Sequence, residues 1–597
     1  VAALVALVGC KPKEDTAAQM AKAGILVINN NAEPSGLDPQ EVTGLLESRI
    51  VYSLFEGLVN YDPVDLHPIP GVAESWTMAP DGKTWTFKLR ANARWSTGDP
   101  VTAQDFLFSF QRMLSPKFGA EYSSMLHCVR GAKDFNEGKL KDFKQVGFKA
   151  TDARTLIIEL DNAVPYFLQL ICHHSWLPVH PPTILKFGHM EEMHTLWTRP
   201  GNLVGNGAFT LESWAVARRI IVRKNPGYWD AANVALNGVE FRAITDLFAE
   251  ERAFRGGELH ITGTVPPYKI VQLREQKAPF LRLDPYLSCA FIRINTDVTG
   301  NEPVRKALAD VRVRRALGMS IDRNLIAERV LRAGETPALN MTPPGTGGFK
   351  SRPQWSTDLN EARRLLAEAG YPGGQGFPKL EYLLNTSEGS QMAAQAYQEM
   401  WRKQLGVEIE LRNLDWKVYL RSLHKGEYQI ARSAWSGDYN DPNTFLEMFI
   451  TGNELNQTNW SDPEYDRLIG AAAREIDQTK RYEFFQQAEQ RLIEGAPVIP
   501  VVFNKNKFLI RPEVQGWYPT LLDQHPLNRV KLVITSNLFD DRFVVFEDAE
   551  IAQIIQENLL IEKSLYEGFE FAMLPQRINR NPVNCPPAHE PLFIGRQ

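Results

Sequence analysis

The segment Ala434-Trp435-Ser436-Gly437-Asp438-Tyr439-Asn440-Asp441-Pro442-Asn443-Thr444-Phe445 sets large aromatics and acids among turn-forming residues, a composition suited to holding a ligand. An indole can floor an apolar pocket while a carboxylate beside it, partly stripped of water, receives a cation such as a ligand ammonium. Trp435 and Asp438 supply that pair. Ahead of them residues 428–432 alternate as a strand does, and residues 444–451 read as the start of a short helix. The pair thus falls where a strand ends, the usual place for ligand groups in an α/β layer.

Other chemistries fit the residues less well. Cys172-His173-His174 with His180 has no second cluster to complete four ligands at zinc spacing, which leaves a structural or pocket-edge role. His189 and His194 stand five apart rather than four, so one helical face cannot present both as a zinc protease helix does. Asp438-x-Asn440 begins like a calcium loop, but Pro442 stands at the fifth position and no glycine at the sixth. There is no Gly-x-Ser-x-Gly elbow and no phosphate loop, and no spacing singles out a catalytic pair among the carboxylates. The reading is a binding protein that is not an enzyme, with no cofactor and no metal.

These residues need elements to position them. A chain of 597 residues exceeds one hydrophobic core and predicts several lobes at about 150 residues each. With 66 basic and 71 acidic residues the net charge is −5, which offers no polycation for nucleic acid or anionic lipid. Predicted strands include residues 25–29, 84–89, 155–160, 220–223 and 239–242, with helices over 47–55 and after Thr102. A further helix over 358–369 carries an apolar stripe, with Ser356 or Thr357 as its cap and Gly370 as its stop. The apolar opening that ends at Leu7-Val-Gly-Cys10, followed by a charged tether, reads as a lipoprotein cleavage box with Cys10 to be acylated. Cys128, Cys172, Cys289 and Cys585 show no paired spacing and predict no disulfide framework.

The 434–445 segment closely resembles the oligopeptide-binding proteins of ABC importers. So do Gly71-Val-Ala-Glu-Ser-Trp76, Trp85-Thr-Phe-Lys-Leu-Arg90, Trp95-Ser-Thr-Gly-Asp-Pro-Val-Thr-Ala-Gln-Asp-Phe106, Pro165-Tyr166-Phe167, Asn206-Gly-Ala-Phe-Thr210 and Asp310-Val-Arg-Val-Arg-Arg315, which fall in family order. The resemblance implies a two-lobed α/β clamp of the large periplasmic-binding-protein class with an extra peripheral domain. It divides the chain into a signal remnant and tether (1–23), lobe I (24–55, 182–286 and 501–531), peripheral domain II (56–181), lobe III (287–500) and an extension of unassigned role (532–597). The crossings near Tyr286 and 500–503 would then form the hinge. The extension is acid-rich over 537–570, with apolar residues near helical spacing, and proline-rich beyond 575.

The resemblance further implies that Asp438 pairs with a peptide α-ammonium, that Trp435 and Trp416 wall the pocket, and that Tyr122, Tyr286, Asn385 and Arg432 are ligand contacts. Gly44 and Leu45, with Thr43, line the peptide backbone. Positions where relatives place cations for the peptide carboxylate are here Leu331, Ser390 and Leu423, with Arg332, His424 and Lys425 beside them. The expected partners are an oligopeptide and an importer permease, with a membrane anchor if Cys10 is acylated, no nucleic acid, and a monomeric chain outside the inner membrane. Rival ligands on this fold are a cell-wall peptide, a nickel chelate or an oligosaccharide. A surface interaction or chaperone-like factor using the acidic tail is the rival from another class.

Overall fold

The computed structural model describes residues 16–297, 302–352, 354–453 and 455–533, apart from the side chains of Tyr268, Glu388, Trp416 and Lys417. Cys10, Cys585 and the acid-rich extension lie outside the described residues. The chain divides after residue 534, and all that is described belongs to the first unit.

Two sheets carry the clamp. A four-stranded sheet runs in the order Ile25–Asn29, Gly238–Arg242, Arg219–Lys224 and Phe209–Ala215, its first pair parallel and the others antiparallel. Ile25–Asn29 is buried at every position, as its unbroken apolar run requires of a strand covered on both faces. A six-stranded sheet runs in the order Thr336–Pro337, Val498–Leu509, Leu281–Ile294, Ile430–Ser436, Leu380–Asn385 and Ile409–Leu414. Its two longest strands pair antiparallel from Leu281↔Leu509 to Arg293↔Val498, with irregularities after Pro285 and Ala290. Single bridges from Ile261 to Ile28 and to Ile510 tie these long strands back to the first sheet. The two sheets are therefore joined where Ile510, just past the second long strand, meets Ile261.

A separate antiparallel sheet, Ala73–Met78, Thr84–Leu89, Thr155–Glu159 and Phe148–Asp152, lies between the first and second visits of the chain to the four-stranded sheet. The helix Ala103–Leu114 opens on a capping box in which Thr102 and Asp105 each satisfy the other's backbone N–H. The helix Leu359–Glu368 is capped by Asp358, whose carboxylate accepts from Asn360 and Glu361, each at 3.0 Å, in place of the expected Ser356 or Thr357. Among the described residues no helix is long and apolar enough to cross a membrane.

Candidate ligand-binding site

Three strands of the six-stranded sheet, Ile409–Leu414, Leu380–Asn385 and Ile430–Ser436, run parallel, linked by the helices Glu388–Leu405 and Trp416–His424. Ligand groups in such layers gather beyond the carboxyl ends of the strands. Asn385 ends one strand, Trp416 follows the second by two residues, and Asp438 follows the third by two. Residues 31 and 22 apart in sequence are thus brought to one edge by topology. The described positions of Trp416 are those of its backbone alone.

The strand before Asp438 is longer than its sequence suggested. Pairing with Leu281–Ile294 extends it through Ser436, so Trp435 lies inside the strand opposite Cys289. The chain then turns sharply. A Cβ on Gly437 would meet Leu287 Cδ2 at 2.5 Å, and the Gly437 N–H donates to the Leu287 carbonyl at 2.8 Å, so only glycine lets the loop leave the sheet here. The Asp438 N–H donates to Thr444 Oγ1 at 3.2 Å.

Asp438 is half-buried, and burial pushes its carboxyl up to about 7, against a smaller opposing effect of hydrogen bonding with the Tyr122 hydroxyl. Beneath Tyr122 lie His173 and His174, with ring centroids 4.7 and 5.5 Å away. Burial drives both imidazoles down, His174 to about 4, and His174 Nδ1 donates to the Pro39 carbonyl at 2.9 Å. These histidines are neutral at pH 7 and supply no cation to Asp438. A desolvated acid facing a phenol has the chemistry to receive a cation.

Near Asp438, the helix Leu45–Leu54 turns residues 45, 48, 49 and 52 toward a solvent-open cavity of about 980 Å³ that Asp438 itself does not line. Gly44 precedes it, and a Cβ there would lie 2.1 Å from the Glu47 carboxylate, which turns back over the helix start to accept from Ser35. Leu45 stands 52% exposed at the cavity mouth. Burial raises the Tyr52 and Tyr61 hydroxyls in this wall, and the charge of Asp438 adds to both, so the acid and the cavity are neighbours. Burial also raises Tyr286, which hydrogen-bonds Ser436 and feels both Asp438 and Arg49.

Arg49 and Asp523 were not singled out in the sequence. They form an ion pair at 3.0 Å across 474 residues, a separation at which no motif could link them. Asp523 also accepts from His525 at 2.8 Å and Asn506 at 2.5 Å; burial works against its charge, but these partners hold its carboxyl below the usual range. Its backbone is left-handed, φ 53°, a strained state that its several partners maintain.

Arg432 lies in the strand and is half-buried, its carbonyl accepting from the Tyr419 hydroxyl. Asn385 Oδ1 and Trp435 Nε1 are buried without a partner among the described residues. Leu331 and Leu423 pack against hydrophobic clusters, and Ser390 is half-buried. His424 and Lys425 are exposed and engaged by Gln457 and Glu427.

Two sheets tied together by long strands, with residues 385, 416 and 438 at the ends of parallel strands, have the α/β architecture of a solute-binding clamp. The chain belongs to the bacterial extracellular solute-binding proteins, family 5, whose model (the middle region) matches residues 67–457. It is 37% identical over 507 residues to the periplasmic oligopeptide-binding protein OppA of Escherichia coli K12, covering 83% of this chain and 90% of that protein. Among solved structures, the murein tripeptide binding protein MppA of Escherichia coli superposes with a TM-score of 0.73 at 35% identity, covering 85% of this chain and 98% of that one. Haemophilus influenzae OppA in complex with RPPGFSPFR gives 0.72 at 32% identity, covering 86% and 99%.

Proposed function

We propose that this protein captures oligopeptides in extended form, holds the α-ammonium on Asp438, and delivers them to an ABC importer. The observation that carries the reading is a desolvated carboxyl at about 7 with no protein cation beside it among the described residues, at a strand end next to those that lead to residues 385 and 416. A closed clamp with a charge of its own and no partner for it is a site awaiting one. Main-chain hydrogen bonds, as to an added strand, would give affinity without sequence dependence, and the wet cavity would tolerate varied side chains.

In this reading lobe I (24–55, 182–286, 501–531) and lobe III (287–500) close about the strands near Tyr286 and 500–503, with 56–181 as a peripheral domain. Trp435, Trp416, Tyr122, Tyr286, Asn385, Arg432, Gly44 and Leu45 line the peptide. The chain works as a monomer outside the inner membrane, anchored through Cys10 if that residue is acylated, and performs no catalysis. A peptide-library thermal-shift screen tests it, since a ligand at 100 times its Kd stabilises by about 2.7 kcal/mol. Free-amine peptides should shift the transition and nickel chelates or oligosaccharides should not; the reverse pattern refutes the reading. Small-angle scattering should show compaction with ligand, and identical curves would count against hinge closure. The likeness to MppA favours one second reading, a cell-wall peptide, which a murein tripeptide included in the same screen would reveal.

A further inference from the structure

The Asp438 loop is gripped from behind as well as from the cleft. Tyr166, from the Pro165-Tyr166-Phe167 turn that follows the Thr155–Glu159 strand, lies parallel to Tyr439, with centroids 5.1 Å apart and planes within 1°. Asn443 Nδ2 donates toward the Tyr166 hydroxyl at 3.1 Å and toward the Tyr439 hydroxyl at 3.1 Å. The Arg481 guanidinium stands 5.2 Å over the Tyr166 ring, itself fixed by two bonds to Asp441 of 2.6 and 2.7 Å. Tyr439 follows Asp438 directly and also bonds Glu447 at 2.9 Å. At the rim of the same seam a Cβ on Gly82 would meet Ile476 Cδ1 at 2.9 Å, so residues 82 and 476 are already in close approach.

Residues 122 and 166 therefore hold residues 438 and 439 from two sides, and both come from outside the sheet that bears the loop. We propose that Tyr166 is a positioning residue: by docking on Tyr439 and Asn443 when the clamp closes, it sets the loop so that the Asp438 carboxylate meets the peptide ammonium. This rests on the peptide reading above. Recognition of the charge is thereby tied to closure, and an open clamp holds the ammonium weakly. An offset aromatic stack with a cation over it is a directional contact, lost completely when the surfaces part, which suits it to sensing closure.

The test uses the described chain with its full sequence, Tyr166→Ala and Tyr166→Phe, and one peptide in free-amine and N-acetyl forms. Tyr166→Ala should raise koff for the free-amine peptide about tenfold with kon nearly unchanged, as loss of a stacked pair and a cation contact predicts. The affinity ratio between free-amine and N-acetyl forms should shrink at least about threefold, because the acid is no longer held in place. Tyr166→Phe, which keeps the ring and loses the hydroxyl, should fall between and guards against a folding defect. A ratio unchanged in both variants overturns the proposal, since a merely structural role weakens both forms alike. If the parent binds neither form, it is the functional reading that fails; a parent that binds the free-amine form better, with that preference kept in both variants, overturns this proposal alone.

Discussion

Asp438→Asn removes one charge and little else. The asparagine keeps the shape, keeps an acceptor for the Tyr122 hydroxyl, and leaves the loop bond from its N–H to Thr444 intact. In the closed clamp a peptide ammonium facing a neutral amide would be desolvated without a counter-charge, and breaking such a pair costs about 3–5 kcal/mol. Part of that is offset at pH 7, where the parent acid is only about half ionised in the free protein and must first lose its proton. The net loss is about two to three decades of affinity at about 1.4 kcal/mol per decade. N-acetylation of the peptide should cost the unaltered protein a similar amount. Titration calorimetry on the four combinations gives the coupling directly: the double change should cost at most about 1 kcal/mol more than the larger single one, because both remove one interaction. The ligand-free variant should also melt higher at pH 8, since it no longer buries a charge that the unfolded chain solvates. Parent-like affinity of Asp438→Asn for free-amine peptides would refute the assignment of this acid.

Binding should be pH-dependent with a definite sign. The free-state carboxyl near 7 is drawn down by a bound ammonium, so binding releases a proton and affinity should fall up to about tenfold per unit as pH drops below 7, with a second fall above about 8 as the α-amine deprotonates; flat calorimetric profiles from pH 5 to 7 would contradict this. Asp523→Asn leaves Arg49 without its counter-ion and should destabilise by about 1–3 kcal/mol in denaturant unfolding while the loop tolerates the left-handed backbone. Length selection should be weak, because Leu331 and Leu423 are packed hydrophobes and offer no cation to a peptide carboxylate; a loss of more than about tenfold on adding one carboxyl-terminal residue would argue for a fixed carboxylate anchor.

Much of this was legible in the residues. Ile25–Asn29 and Thr84–Leu89 fall where their patterns place them, because apolar runs and alternation are local signals. The start of a helix after Thr102 was equally readable, and the structure adds that Thr102 and Asp105 form a capping box there. The strand before Asp438 was read too short: turn-forming residues argued for an earlier end, and pairing with Leu281–Ile294 overrode them. Asp358 displaced Ser356 and Thr357 as a cap because its carboxylate reaches two backbone donors at once. Arg49 with Asp523, and Tyr166 with Tyr439, join elements hundreds of residues apart, and nothing in either local sequence announces the partner. Asp438 itself was legible as an acid beside an indole; its raised ionisation was not, because that depends on what the fold buries around it.

The central claim is that the cleft holds a peptide by its free amine. Native mass spectrometry of freshly purified protein, with dissociation and sequencing of whatever is released, reads the occupant without prior choice of ligand. The account predicts a heterogeneous set of short peptides with unblocked amino termini, lost from Asp438→Asn. A released oligosaccharide or nickel chelate, or peptides retained equally by Asp438→Asn, would contradict it.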